Sequence, residues 1–302
     1  MDLCYLLKEE SKKLYNTMKA AQELDIKIQE ETLTELMLIN LKASIQANTE
    51  ENIQKKGLKT IIKHCNKSAE FNLGTDFLWF VGSNKKNSWV AFYIQAKKIK
   101  DNQKYFLKHN YKNKTGNEST PILRQVDKLI TAAEDIHLGY KDIRRAIPIY
   151  CFYNYLSDET LNAADYLNDF QKIPKEKKDF SFTYSSAYHV KFLLDQTHSA
   201  KQGTTKNTFS FNDLKGLPIY TLFCDTNTNQ SLANRILKTY KGYHEKLVSD
   251  RESKYNFFLN DHKYIFKELP PVVESLIKDS TDTSDKYAGT DLPSYIMVTY
   301  ED

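Results

Sequence analysis

LGTDFLWFVGSNKKNSWVAFYIQAKKI, residues 73–99, decides how the rest of the chain is read. Two runs rich in aromatic and β-branched residues, TDFLWFV (75–81) and SWVAFYIQAKKI (88–99), flank the turn sequence GSNKKN. That is a β-hairpin signal. With the turn centred near Lys85, Asp76 lies nine residues before it and Gln95 ten after. In an antiparallel pair the two face each other to within a residue. Gln95 and Lys97 share one face of their strand, while Ile94 and Ala96 point the other way. Asp is depleted in strands, and a buried lysine is costly unless paired. Asp76, Gln95 and Lys97 therefore ask for a chemical explanation.

A hard divalent cation supplies one. It takes oxygen ligands, here the Asp76 carboxylate, the Gln95 side-chain oxygen and the Ala96 backbone carbonyl. The Lys97 ammonium can orient or help deprotonate an attacking water, and it can offset charge on a pentacovalent phosphate. Metal and lysine together meet the electrostatic need of phosphodiester hydrolysis. A carboxylate from an adjoining helix would complete the ligand set. Glu35 is the candidate, with Glu31 one turn earlier on the same face. Glu35 also fits a capping box with Thr32, so the roles of ligand and cap both stand.

Around the hairpin the charge pattern changes. From Lys85 to Lys114 there are nine lysines and one acid, Asp101, with Trp89, Phe92, Tyr93, Tyr105, Phe106 and Tyr111 interleaved. This is the composition of a polyanion-binding face, and equally of a solvated lysine-rich loop. Lys85, Lys86, Lys98, Lys100, Lys104 and Gln125 are the candidate nucleic-acid contacts.

Further out, the periodicity predicts helices over 3–24 and 31–47, the second starting at the Thr32–Glu35 box. Residues 52–67 read as basic and weakly helical, and 100–119 as a polar loop. Thr120-Pro121 has the form of an N-cap followed by a first-turn proline, opening a helix that runs to Glu134. AIPIYCFY (146–153) is a buried strand, and LPIYTLFC (217–224) resembles it. Helices are expected at 159–170, 185–194 and 231–247, a loose segment at 279–291, and a last strand at YIMVTY. Helices around these strands imply an α/β fold with a mixed sheet. The organisation expected is one domain over 1–225, with its core at 31–155, and a mainly helical extension over 226–302.

The composition excludes several classes. Of 302 residues, 40% are hydrophobic and 27% charged, which is ordinary for a globular chain. No apolar run approaches the ~20 residues of a membrane span. The start, MDLCYLLKEESKKLY, meets acid too early for a signal peptide, so a cytoplasmic protein is expected. Cys4, Cys65, Cys151 and Cys224 make no CxxC pair and read as four buried thiols; His64-Cys65 has no second pair at metal spacing. His109, His137, His189 and His198 suggest no partner. Trp79 and Trp89 read as core aromatics.

Glu35, Gly74-Thr75-Asp76 and Gln95-Ala96-Lys97 together resemble the PD-(D/E)xK nuclease superfamily, in its variant with glutamine as the middle ligand. More closely, the chain resembles an uncharacterised restriction-endonuclease-like family of bacterial proteins. The likeness runs through ETLTELMLINL, LGTDFLWFVG, WVAFYIQAKKI, the RQVDKL helix at 124–129, IPIYCFYN, YSSA (184–187) and LPIYTLFC, about residues 31–224. It implies a restriction-endonuclease-like αβββαβ core, cleavage of DNA (or RNA) with Mg²⁺ or Mn²⁺, and often a role in restriction or phage defence. Duplex cleavage by a one-site subunit implies a homodimer or higher oligomer, and a toxic nuclease implies an activator or regulatory partner. The same fold without catalysis would be a nucleic-acid- or partner-binding module. Thr75 stands where the family's proline is usual. The glutamine leaves fewer negative charges at the metal, which implies weak metal binding until the substrate phosphate joins.

Overall fold

Seven strands form one mixed sheet in the computed structural model, which describes residues 2–51, 58–65, 73–107, 110–111, 123–134, 136, 144–170, 173–199, 208–247, 261–278 and 292–301. The chain begins with helices α1 (Leu3–Glu23) and α2 (Glu30–Glu51). Strands β1 (Leu58–His64), β2 (Phe77–Ser83) and β3 (Ser88–Lys98) follow. Then come α3 (Gln125–Glu134), β4 (Ile147–Tyr153), β5 (Phe182–Ser186) and α4 (Ala187–Ser199). The last elements are β6 (Leu217–Pro218), α5 (Leu232–Leu247), α6 (Pro271–Lys278) and β7 (Tyr295–Glu301).

The strand order is β1-β7-β2-β3-β4-β5-β6. Pairs β7–β2 and β3–β4 are parallel; the others are antiparallel. Every residue of β2 and β4, and all but the last of β3, is buried. Strands covered on both faces read as continuous apolar runs, which is why FLWFV and IPIYCFY carry so little alternation. Helix α2 packs on β1 and β3, α3 on β3 and β4, and α5 on β2 and β3. Trp79 and Trp89 are core residues, and the Trp79 indole N–H donates to Thr299 Oγ1 at 3.0 Å. Among the described residues no helix is long and apolar enough to cross a membrane.

The hairpin forms in the expected register. Phe77 pairs with Ile94, so Asp76 falls opposite Gln95, and the Asp76 N–H donates to Ile94 O at 2.8 Å. Just before the turn the two strands approach closely at Gly82: a Cβ built there would lie 2.3 Å from the Ser88 carbonyl oxygen.

Elsewhere the structure departs from sequence expectation. Helix α2 starts at Glu30, and the Leu33 N–H already donates to Gln29 O, so Thr32 lies inside the helix and the Thr32–Glu35 box does not cap it. The basic stretch 52–67 contains strand β1; its lysines suit it because, among the described residues, it is an edge strand bonded to β7. Helix α3 starts at Gln125, after Leu123–Arg124 pair with Asn110–Tyr111; Thr120 and Pro121 lie outside the described residues. In 217–224 only Leu217–Pro218 pair, at the opposite edge, and a 3₁₀ turn over Ile219–Phe223 follows. Pro218 has no N–H to continue a ladder. The 159–170 helix is instead Asp158–Asn162 followed by a 3₁₀ turn at Asp165–Asp169. Residues 185–186 close strand β5 before α4 begins. The stretch 226–302 supplies α5 and α6, but also β7, which sits between β1 and β2.

The cysteine expectation is corrected in part. Cys65 and Cys151 are free and buried, but Cys4 and Cys224 form a disulfide. Packing of α1 against the Ile219–Phe223 turn brings their Cα atoms to 5.0 Å, within bonding range. His189 is a core residue whose Nε2 lies 2.9 Å from Asp213 O, and burial pushes its imidazole down to about 4. His109 and His137 lie outside the described residues.

Candidate active site

Two backbone features deliver Asp76. The Thr75 hydroxyl donates to Ile94 O at 2.8 Å, fixing the entry to β2. Gly74 adopts φ +64°, a left-handed conformation, and lies directly against the first turn of α3. A Cβ at Gly74 would sit 2.7 Å from the Gln125 carbonyl oxygen. Gly74→Ala therefore combines a left-handed backbone penalty with an overpacked contact, about 2–4 kcal/mol together. The expected result is a melting temperature lower by roughly 5–10 °C, read by thermal denaturation. An unchanged melt would show that α3 does not press on Gly74.

Asp76 is half-buried and its Oδ2 accepts two hydrogen bonds, from the Ala96 N–H and from Gln95 Nε2, both at 2.6 Å. Gln95 is 1% exposed, and its Nε2 also donates to Ala96 O at 3.1 Å. Its Oε1 accepts from Gln125 Nε2 at 2.7 Å. Gln125, expected among nucleic-acid contacts, is buried against Gln95 as the first residue of α3. The start of α3 is tied down by Arg124, which donates to Asp127 (Nε–Oδ2 2.7 Å) and bridges to Asp195 (2.7 Å). Lys191 also bonds Asp127. Burial would raise the Asp127 carboxyl, but the bonds from Arg124 and Lys191 outweigh it and hold the group below its ordinary value.

Lys97 is 7% exposed, and its ammonium pairs with Glu30 Oε1 at 3.1 Å. Glu30 Oε2 accepts the Lys98 N–H at 2.8 Å. The lysine has the partner that its burial demands. That partner is Glu30, not Glu35 or Glu31. Glu30 precedes the misplaced capping box, and its only sequence signal is an acid in the first turn of α2, where the helix dipole favours it.

Glu35 faces the same region, its Oε1 accepting from the Tyr295 hydroxyl at 2.8 Å. Burial, reinforced by that bond and by the charges of Glu35 and Glu31, pushes the Tyr295 phenol up to about 12. Asp76, Glu30, Glu31 and Glu35 line one hollow of about 30 Å³ with Thr34, Ser294 and Tyr295. Sequence reasoning missed Ser294 and Tyr295, which come from the start of β7, more than 200 residues from Asp76. The Tyr153 hydroxyl donates to Thr34 Oγ1 beneath the hollow. Burial, with the charges of Cys151, Asp76 and Glu30, holds that phenol well above its ordinary value. Cys151 is likewise raised, by burial first and by Asp76 second.

The side chains that line the hollow are carboxylates and hydroxyls, and among the described residues no thiolate or imidazole lines it, so the set suits a hard cation such as Mg²⁺. As they stand, no three Asp, Glu, His or Cys side chains among the described residues are grouped to hold one. Asp76 is engaged by Gln95 and Ala96, Glu30 by Lys97 and Glu35 by Tyr295. An ion would compete for these oxygens.

The basic residues divide between two ends of β3. Lys98 donates to Ile28 O at 2.9 Å, Lys100 lies over the Phe106 ring at 5.0 Å, and Lys104 is exposed; these are at the Lys97 end. Lys85 and Lys86 sit in the exposed turn at the opposite end.

A family model described as a family of unknown function, DUF6615, matches residues 3–299, and the chain belongs to that family. No curated protein matches the chain.

Proposed function

We propose that this DUF6615 member is a metal-dependent phosphodiesterase that hydrolyses DNA, with Mg²⁺ held by Asp76, Gln95 and Ala96 and by Glu35 or Glu31. The observation that carries the reading is the facing register of Asp76 and Gln95, with Lys97 two residues on and the carboxylate-lined hollow beside them. In support, α2, strands β1, β2 and β3, helix α3 and strand β4 come in the chain order that an αβββαβ core would have; β7, lying between β1 and β2 in the sheet, departs from it.

When bound, the ion would polarise the phosphate and lower the pKa of a water. The chain's own residues do the rest. Gln95 turns its Nε2 toward Asp76, so a 180° rotation of that amide is needed to present oxygen to a cation. Gln125 must rotate with it to keep their hydrogen bond, so Gln125 joins Asp76 and the Ala96 carbonyl in setting the Gln95 orientation. Lys97 offsets phosphate charge or relays a proton once Glu30 releases it. Lys98, Lys100 and Lys104, at the Lys97 end of β3, are the residues we assign to contact with a nucleic-acid backbone. Cleavage of both strands calls for two copies of the chain.

One observation favours a second reading. The site is internally satisfied, with Lys97 on Glu30 and Gln95 on Asp76, as a binding module without catalysis would also be. Incubation of the purified protein with supercoiled plasmid separates the two. The nuclease reading expects nicking or linearisation with Mg²⁺ or Mn²⁺, loss with EDTA and recovery on re-addition. Tight, salt-sensitive DNA binding without cleavage by either ion would leave only the binding module.

A further inference from the structure

A second site lies at the other end of the hairpin. A cleft of about 850 Å³ opens between the β2–β3 turn, the outer side of α5 and the segment around residues 262–267. Its walls carry Lys86, Arg144, Lys238, Lys241, His262 and Lys267, and no Asp or Glu lines it among the described residues. Along β3 it is seven residues from Ser88 to Gln95, roughly 23 Å, so this cleft and the carboxylate hollow are separate.

Its charge is built in. The Lys86 ammonium donates to the carbonyls of Thr228 and Gln230, each at 3.2 Å. Arg144 reaches the carbonyls of His262 and Ile265 at 3.3 and 3.4 Å. Carbonyls position the Lys86 ammonium without cancelling its charge. Lys238 and Lys241, three apart on α5, project to one side of the helix. The frame is pinned: Trp89 and Phe266 exchange backbone hydrogen bonds at 2.9 Å, and the Ser88 and Ser231 hydroxyls meet at 2.8 Å. Between the cations Leu237 and Ile265 give an apolar lining.

Lys86, Lys238 and Lys267 bring positive charge into one concavity from three segments of the chain, and a multiply charged anion answers it. The volume falls within the roughly 300–1,000 Å³ of small-molecule sites. Lysines and an arginine suit phosphate oxygens, and the apolar lining suits a base or another flat group. We propose that this cleft binds a small polyphosphorylated ligand of nucleotide size. The proposal is independent of the hydrolysis reading: it concerns other residues, and it stands whether or not Asp76 and Lys97 cleave DNA.

Calorimetric titration of the full chain at about 0.1 M salt tests it, with ATP, adenosine and a short DNA duplex as probes. ATP is expected to bind at least roughly 100-fold tighter than adenosine, because phosphate contacts are charge-assisted. The double variant Lys238→Glu, Lys267→Glu draws on two walls of the cleft through exposed side chains. It should lower ATP affinity by roughly 30-fold or more, with an unchanged melt and unchanged duplex binding. Lys241→Glu alone should act in the same direction, which guards against a folding defect in the double variant. The proposal is overturned if ATP binds no better than adenosine, if charge reversal leaves ATP affinity unchanged, or if duplex binding alone is lost.

Discussion

Asp76→Asn should reduce Mg²⁺-dependent cleavage by about 10³-fold, the scale of removing a group that stabilises transition-state charge. The substitution keeps the shape and one acceptor oxygen, but it removes the negative charge. In the present structure that charge receives the Ala96 N–H and the Gln95 amide, both at 2.6 Å. Bonds to charged acceptors contribute about 1.5–3 kcal/mol, and the asparagine keeps part of that. Loss of one negative group from a hollow shared with Glu30, Glu31 and Glu35 offsets some of the rest. The fold should therefore survive, with a melt in EDTA only slightly lowered. Metal gives an independent readout. At ten times its dissociation constant, Mg²⁺ adds about 1.4 kcal/mol to the wild-type fold, raising its melting temperature by a few degrees. Asp76→Asn should show no such rise. A variant that still cuts at the wild-type rate, or still gains stability from Mg²⁺, would remove Asp76 from the metal site.

What could be read from the sequence was local. The hairpin was legible because its strands are apolar, its turn is short and the side-chain period is two; those facts alone put Asp76 opposite Gln95. Lys97 was legible as an anomaly, a charge among residues that bury. Its partner was not. The Thr32–Glu35 pattern suggested a helix starting one residue too late, and Glu30 fell outside the frame. Strand β1 was hidden because an edge strand tolerates lysine, and LKTIIKH has too little apolar character to declare itself. The LPIYTLFC run shows the converse limit: a short apolar stretch fits a buried strand or a buried turn equally. Tyr295 and Ser294 were beyond reach for a topological reason. Their strand enters the sheet between β1 and β2 from the far end of the chain, and no local pattern encodes a pairing of that range.

Lys97→Met separates catalysis from stability most cleanly. Methionine keeps the unbranched stem that packs in the nearly closed position of Lys97 and removes only the charge. What remains is Glu30, whose side chain is 32% exposed and still accepts the Lys98 N–H. A glutamate with access to water is not stranded by the loss of its lysine, so the stability cost should stay near 1 kcal/mol, well short of the 3–5 kcal/mol of a fully buried broken pair. The loss in cleavage should be far larger, roughly 10²–10⁴-fold, because the ammonium, paired with Glu30 two residues along β3 from Gln95, is the group assigned to phosphate charge or proton relay. Glu30→Gln is the counterpart. It loosens Lys97 without removing it, and a lysine used for catalysis should then act at least as fast per bound substrate while the protein melts slightly lower. If Glu30 instead holds Lys97 in its working position, both variants lose activity together. If Lys97→Met cuts DNA as fast as wild type, the ion pair is a structural fastening and the hydrolytic reading of this site fails.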